Sequence, residues 1–180
     1  MIAEIKNLLL EYEIKTITLE NCEDVMEVYN TNQDFFMLSS GRAATIEDCR
    51  NDINTVPPFS FDEKVFVSLW RDGCCVSVLD IIVGYPKEAY IWIGFLLIHG
   101  EWHRKQIGTE IVNAILKAAE NKGCVCVQLG VLEDNEKGRK FWEKLGFEKI
   151  RESKIEEEGK PEQNIIGVEK QVKIFSTEKT

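Results

Sequence analysis

The chain lacks the features that would assign it to several large classes. No apolar run among its 180 residues approaches the ~20 that a membrane-spanning helix needs. Basic residues are the minority, 22 Lys+Arg against 31 Asp+Glu, for a formal charge of -9. Phosphate neutralisation needs a basic face, so nucleic acid is not the expected partner. The start, "MIAEIKNLLLEYEIKT", mixes Glu and Lys through its apolar residues and shows neither a basic leader nor a cleavage site; it reads as non-secretory, and the expected location is the cytoplasm. There are only two histidines, His99 and His103. The six cysteines, Cys22, Cys49, Cys74, Cys75, Cys124 and Cys126, form no C-x(2–4)-C pair. A structural zinc site is therefore not expected, and the thiols read as reduced and buried in strands. His99 and His103 are four apart, but Gly100 makes a loop there rather than a two-histidine helix face, so no metal is assigned. Repeats, low-complexity tracts and linkers are also missing. One domain over residues 1–180 is the expectation, with 44% hydrophobic residues to build a core.

What is present is a sequence of alternating and helical periods. "YEIKTIT" (Tyr12–Thr18) alternates as a strand. "ENCEDVMEVYNTN" has a helical pattern behind Asn21 as cap, "DFFMLSSGRA" reads as a loop, and "TIEDCRNDINTV" reads as a helix with Thr45 at its cap and Asp48 three on, ended by Pro57 and Pro58. Lys64–Trp70 and Cys74–Val83 form a hairpin about Asp72-Gly73. Ala89–Ile98 is apolar on both faces and reads as a covered central strand, and Gly94 within it predicts a bulge or a close approach. The period then changes: Ile107, Ile111, Val112, Ile115 and Ala119 recur at helical spacing up to "NKG". A buried strand (Cys124–Val131), a helix over "DNEKGRKFWEKL" and an antiparallel pair around "EGKPE" complete the order β-α-α-β-β-β-α-β-α-β-β. A strand, a crossover helix and another buried strand make one parallel unit within an otherwise antiparallel sheet. The fold class is α+β.

Within "EWHRKQIGTEIV" (Glu101–Val112), Arg104 and Lys105 stand where a central strand has ended and a helix begins. Free N–H groups and partial positive charge at a helix start, together with two cations, make an anion cradle in an acidic protein, and Gly108 permits close backbone approach. The plainer reading is a solvated basic loop. Asp80 interrupts the apolar run "VSVLDIIV" and is either a catalytic carboxylate or a satisfied structural group.

Two segments carry a family resemblance. "LLIHGEWHRKQIGT" (Leu96–Thr109) resembles the acetyl-CoA motif of the GNAT superfamily of N-acetyltransferases, in which an aliphatic strand end leads into Q/R-x-x-G-x-G/A. "DNEKGRKFWEKLGFEKI" (Asp134–Ile150) is similar to that superfamily's next segment, an Asn, a helix and an F-Y-x-K-x-G-F ending. The element order matches over about residues 12–173. The resemblance implies a mostly antiparallel sheet of about seven strands, helices on both faces and a central parallel pair that splays apart. It implies acetyl-CoA as co-substrate, with its pantetheine arm on the main chain of Leu96, Leu97 and Ile98. The pyrophosphate would sit on the loop His103, Arg104, Lys105, Gln106, Ile107, Gly108 and Thr109, with Asn135 and Trp142 bordering the arm. His103 and Gln106 depart from the pattern's Gln/Arg and Gly, and Trp142 stands where a thiolate-protonating Tyr is usual; indole is not a practical acid.

The implied reaction is direct attack of a primary amine, carried by a small molecule or peptide, on the thioester. An amine of pKa ~10.4 is about 0.1% neutral at pH 7.4, so a base helps. Asp80 is the leading candidate, with Glu88 and Tyr90 behind it. The acidic surface favours a cationic acceptor. The substrate lip is expected in Asp34–Arg42, where Phe35 and Phe36 read equally as core. A non-catalytic acyl-CoA-binding module and a cofactor-free interaction domain are the alternatives. Neither monomer nor homodimer is excluded.

Overall fold

A computed structural model of the chain describes residues 1–58, 61–156 and 161–172. Most of the expected "EGKPE" turn and the end of the last strand, Lys173–Phe175, lie outside the described residues. Helix α1 (Ile2–Leu8) precedes strand β1 (Glu13–Thr16). A 3-10 turn (Cys22–Val25), α2 (Met26–Asn30), α3 (Gln33–Ser40) and α4 (Ile46–Asn54) follow. Then come β2 (Glu63–Arg71), β3 (Cys74–Val83), β4 (Tyr90–Ile98), a second 3-10 turn (Gly100–Trp102), α5 (Ile107–Asn121), β5 (Cys126–Leu132), α6 (Glu136–Lys144), β6 (Glu148–Ile155) and β7 (Gln163–Gln171). One seven-stranded sheet has the order β1-β2-β3-β4-β5-β7-β6. Its only parallel pair among the described residues is β4–β5; the other five pairs are antiparallel.

Two helices were not expected. "DFFMLSSGRA" is not a loop but contains α3, closed by Gly41 in the left-handed conformation at φ 70. Four consecutive apolar residues, Phe35 to Leu38, hide a helical period. Helix α1 was also missed, although Ile2, Ile5 and Leu9 share the face it buries. Asn21 does not cap a helix with its side chain; its Oδ1 instead accepts the Thr18 N–H at 2.8 Å. The cysteines are not all strand thiols: Cys22 and Cys49 are buried in the helical layer, and Cys74 is exposed.

The hairpin at Asp72-Gly73 has both residues at positive φ, 52 and 78, the combination of a two-residue turn that matches strand twist. On one sheet face α1, α5 and α6 cover an aliphatic core that includes Leu79, Ile81, Ile91, Ile93, Val127 and Leu129. The α5 period delivers Ile107, Ile111 and Ile115 into it, each contributing roughly 1.5–3 kcal/mol by burial. On the opposite face Tyr29, Phe36 and Cys49, from α2, α3 and α4, pack on Phe66, Val78 and Leu97. That second cluster includes no residue of β5, β6 or β7, so helices cover only part of this face.

Helix α4 begins as the sequence predicts. The Asp48 carboxylate accepts the Thr45 N–H at 2.7 Å and the Thr45 hydroxyl at 2.9 Å, and both Arg42 nitrogens donate to it. Arg42 and then Thr45 hold the Asp48 pKa down to about 2. A folded-state pKa below the unfolded value of ~3.9 contributes stability above pH ~4, and that contribution is lost as pH falls toward 2. Asp48→Ala should cost about 1 kcal/mol in chemical denaturation at neutral pH and flatten the acid limb of the stability curve.

Candidate active site

The cradle is built from backbone. After β4 the 3-10 turn bends the chain, and Arg104 and Gln106 both take left-handed φ, 60 and 66. Gln106 is the N-cap of α5, and the first helical bond at that end is Glu110 N–H to the Gln106 carbonyl, 2.9 Å. The N–H groups of Ile107, Gly108 and Thr109 thus have no intrahelical acceptor, and those of Arg104 and Gln106 donate to none among the described residues. A left-handed residue followed by right-handed helix turns successive N–H groups into one concavity, which suits an anion. Arg104 and Lys105 are exposed beside it, Lys105 over the Trp102 ring at 4.8 Å. Glycine, which the resembled motif has at the Gln106 position, takes this left-handed geometry without strain. A Cβ on Gly108 would sit 3.1 Å from the Phe141 ring, so close packing against α6 also favours glycine there.

The strands open as predicted. The β4–β5 ladder ends at Ile93↔Leu129, and beyond it Gly94 and Gly130 are exposed in the middle of the sheet. Gly94 is the bulge residue: Asp80 pairs with Phe95, and Ile81 with Ile93. Past the bulge, His99 N–H bonds the Val76 carbonyl and the Leu97 carbonyl accepts Ser77 Oγ at 2.8 Å, so odd-numbered residues turn their main chain toward β3. Leu96 and Ile98 therefore face the opening. Leu97, expected with them, does not; its side chain is buried in the second cluster. The Ile98 carbonyl is already taken, by Asn32 Nδ2 at 2.9 Å and His103 Nε2 at 2.8 Å. His103 thus belongs to the opening through its side chain rather than its amide, which bonds the Gly100 carbonyl. His99 is buried and accepts the Glu101 N–H on Nδ1.

Asp80 stands at the bulge. A Cβ on Gly94 would lie 2.7 Å from its Oδ2, so the carboxylate lies directly against the exposed glycine. Lys64 donates to that oxygen at 2.9 Å and to the Thr55 carbonyl at 2.7 Å. Both side chains are nearly buried, 12% and 13% exposed. Asp80 Oδ1 is buried without a hydrogen-bond partner. Burial raises the Asp80 pKa, with the Lys64 ammonium opposing. Nearby, burial pushes Asp52 up to about 6 although the Tyr29 hydroxyl donates to it at 2.9 Å; the Asp80 charge adds to the rise. Lys64, Asp52 and Tyr29 escaped sequence reasoning because only tertiary register brings them to Asp80.

Other candidates fall elsewhere. Tyr90 is at the paired end of β4, about 13 Å from Gly94 at ~3.3 Å per residue, with Lys87 over its ring, and Glu88 lies farther off in the turn before β4. Asn135 caps α6, its Oδ1 accepting the Gly138 N–H at 2.9 Å. Trp142, expected to border the acyl arm, is 8% exposed in the main core, edge-on to Phe141 and Phe147 at 5.0 Å each. Phe36 is core, stacked on Tyr29 at 5.4 Å, whereas Met37 and Leu38 are exposed along the expected lip. Among the described residues no three His, Cys, Asp or Glu side chains gather as a metal site.

A split parallel pair beside open amides is the arrangement the two sequence motifs implied, and comparison with known proteins agrees. The profile of the Acetyltransferase (GNAT) family matches residues 25–147, more than half of the chain. The chain belongs to that family. No curated protein sequence matches it significantly. Among solved structures it resembles an acetyltransferase from Thermus thermophilus at 20% identity and TM-score 0.69, covering 91% of this chain and 98% of that one. It also resembles the ribosomal-protein-S18-alanine N-acetyltransferase of Escherichia coli (11%, TM-score 0.63, 94% and 99% covered) and the PaiA N-acetyltransferase of Thermoplasma acidophilum in complex with coenzyme A (18%, TM-score 0.58, 87% and 97% covered). At these identities the structural likenesses establish the fold. For this GNAT chain the family supplies acyl-CoA-dependent acetyl transfer. The open amides and the free edge of β4 fit such a co-substrate, since they offer donors for a diphosphate and a strand-like edge for an amide-bearing arm.

Two substitutions test this account. Gln106→Gly relieves a left-handed side-chain residue and should raise stability by ~1 kcal/mol, read as a higher denaturation midpoint with unchanged slope. Trp142→Ala should cost ~3–5 kcal/mol as a core deletion; a cost below ~1 kcal/mol would show that the indole is not packed in the core.

Proposed function

We propose that the chain is an acetyl-CoA-dependent N-acetyltransferase acting on a primary amine. The observation that carries this reading is Asp80, a desolvated carboxylate with one unpartnered oxygen, lying against the bulge at which β4 parts from β5. The thioester would come in along Leu96 and Ile98, with its diphosphate on the amides of Arg104, Gln106, Ile107, Gly108 and Thr109 and its charge met by Arg104 and Lys105. The ammonium of an incoming amine is attracted by the protein's negative charge and gives a proton to Asp80. The nitrogen lone pair then forms the C–N bond, the C–S bond breaks with its electrons on sulfur, and nitrogen passes its remaining extra proton to the departing sulfur. A thiolate with a pKa near ~8.5 leaves with little help, so the lack of a Tyr at position 142 is tolerable. Lys64 orients the Asp80 carboxylate through Oδ2, the oxygen that lies against the exposed Gly94 and faces the incoming proton.

Acetyl-CoA and CoA should raise the melting temperature, because a ligand that prefers the folded state stabilises it. Thiol release should follow across a panel of amines. A general base must be unprotonated, so kcat/KM should fall as pH drops through an Asp80 pKa that lies above the usual carboxylate range. Asp80→Asn should lower the rate ~10²-fold at neutral pH, abolish that limb and recover partly at high pH as free amine accumulates. An unchanged pH–rate profile in the Asn variant would assign Asp80 to structure alone.

A further inference from the structure

One row of residues crosses five strands on the face that helices leave partly bare. Asp80 on β3 leans on Gly94 of β4. Gly94 and Gly130 are the first residues beyond the last paired rung of β4 and β5. Gly130 pairs with Gly167 of β7, and Gly167 pairs with Arg151 of β6. The row thus has an acid at one end, a base at the other and three glycines between. The base does not point away into solvent. A Cβ on Gly167 would lie 2.6 Å from Arg151 Cγ and 3.0 Å from its Nε, so the side chain is laid flat over that glycine. Its guanidinium carbon is 5.9 Å from the centre of the Trp92 ring, and that ring lies against Gly130. Arg151 therefore reaches back over β7 toward the opening. Its Nε lies over Gly167 on β7, so the head is about three strand spacings, ~14 Å, from the Asp80 column.

That guanidinium has no carboxylate of its own among the described residues. Glu152 pairs with Lys149 and Glu162 with Lys154. Glu169 is engaged by Gln128 Nε2 at 2.7 Å and Gln171 Nε2 at 2.9 Å. A second, independent feature lies one rung away on the same face. Gln128, 6% exposed, has its nitrogen fixed to Glu169 and its Oε1 buried without a partner. A planar five-donor fork resting on an aromatic face suits a two-oxygen anion, and an orphan amide oxygen suits an N–H. Resting on the amine-acetylation reading above, we infer that the acceptor is bipolar: a small amine whose carboxylate is several bonds from the nitrogen, with the carboxylate on Arg151 and the amine toward Asp80. The three glycines add no side chain of their own to the floor between the two ends, which the Trp92 ring and Ile165 border at Gly130.

The test pairs amino acids with their primary amides: glycine, β-alanine, 4-aminobutyrate and lysine against the corresponding carboxamides, with thiol release from acetyl-CoA as readout. The wild type should prefer the best acid over its amide by at least ~10-fold in kcat/KM. Arg151→Gln, on an exposed strand, should fold with an unchanged melting temperature and CoA affinity. It should lose ~100-fold in kcat/KM for that acid, mostly through KM, while leaving the amide rate as it was. Arg151→Lys, with charge but no fork, should fall between. Equal use of acids and amides by the wild type, or a loss in Arg151→Gln that is the same for both, overturns the carboxylate site and leaves the acetyltransferase reading intact. A wild type that binds CoA but releases thiol with no amine overturns that reading and the carboxylate site with it.

Discussion

The structure turns on a hydrogen-bond ladder that stops in the middle of a sheet. Backbone N–H and C=O groups in a central strand are normally paired, and leaving them unpaired and buried is costly. Here β4 and β5 pair through Ile93 and Leu129 and then part. The fold makes this tolerable in three ways. Gly94 absorbs the change in register as a bulge. The main chain of Leu96 is left facing an opening, where water or a strand-like ligand can satisfy it. Gly130, across the gap, is exposed rather than covered. The crossover through α5 completes the arrangement, since a parallel connection brings the helix start, with its unsatisfied amides, to the end of the sheet where the strands diverge.

The second constraint is electrostatic. A carboxylate, an ammonium, another carboxylate and a phenol, from Asp80, Lys64, Asp52 and Tyr29, share the region between β2, β3 and the helices of the second face. Such a group adds little to stability, because the cost of desolvating the charges offsets most of their attraction. The arrangement divides labour between the two Asp80 oxygens. One is fixed by Lys64 beside the exposed Gly94, and the other is buried without a partner. The acid across the sheet from it, Glu169, is instead occupied by amide donors. This leaves the two ends of the glycine row with opposite charge.

How much of this was legible depends on sequence distance. The hairpin at Asp72-Gly73, the bulge at Gly94 and the amphipathic α5 were readable because each is written in a few contiguous residues. So was the amide cradle, which is a loop and one helical turn. Helix α3 was hidden by its run of Phe35, Phe36, Met37 and Leu38, although Gly41 marked its end. Asp80 stood out as a lone acid in an apolar strand. Its partner Lys64, its neighbour Asp52 and the distant Arg151 did not, because pairing register and helix packing, not local pattern, bring them together. Trp142 was read from its place in a motif, as a border of the acyl arm; its packing edge-on to Phe141 and Phe147 in the main core was not legible there.

The carbonyl of Ile98 has a consequence beyond closing an edge. It receives Asn32, from the turn between α2 and α3, and His103, from the loop that leads into α5. One oxygen therefore ties the helical hairpin over one face of the sheet to the segment that starts the helix on the other. Neither can swing away without surrendering a bond to an atom they share. A shift of either side changes the geometry offered to its counterpart, so the positions of the two halves of the cleft are linked at the last residue of β4.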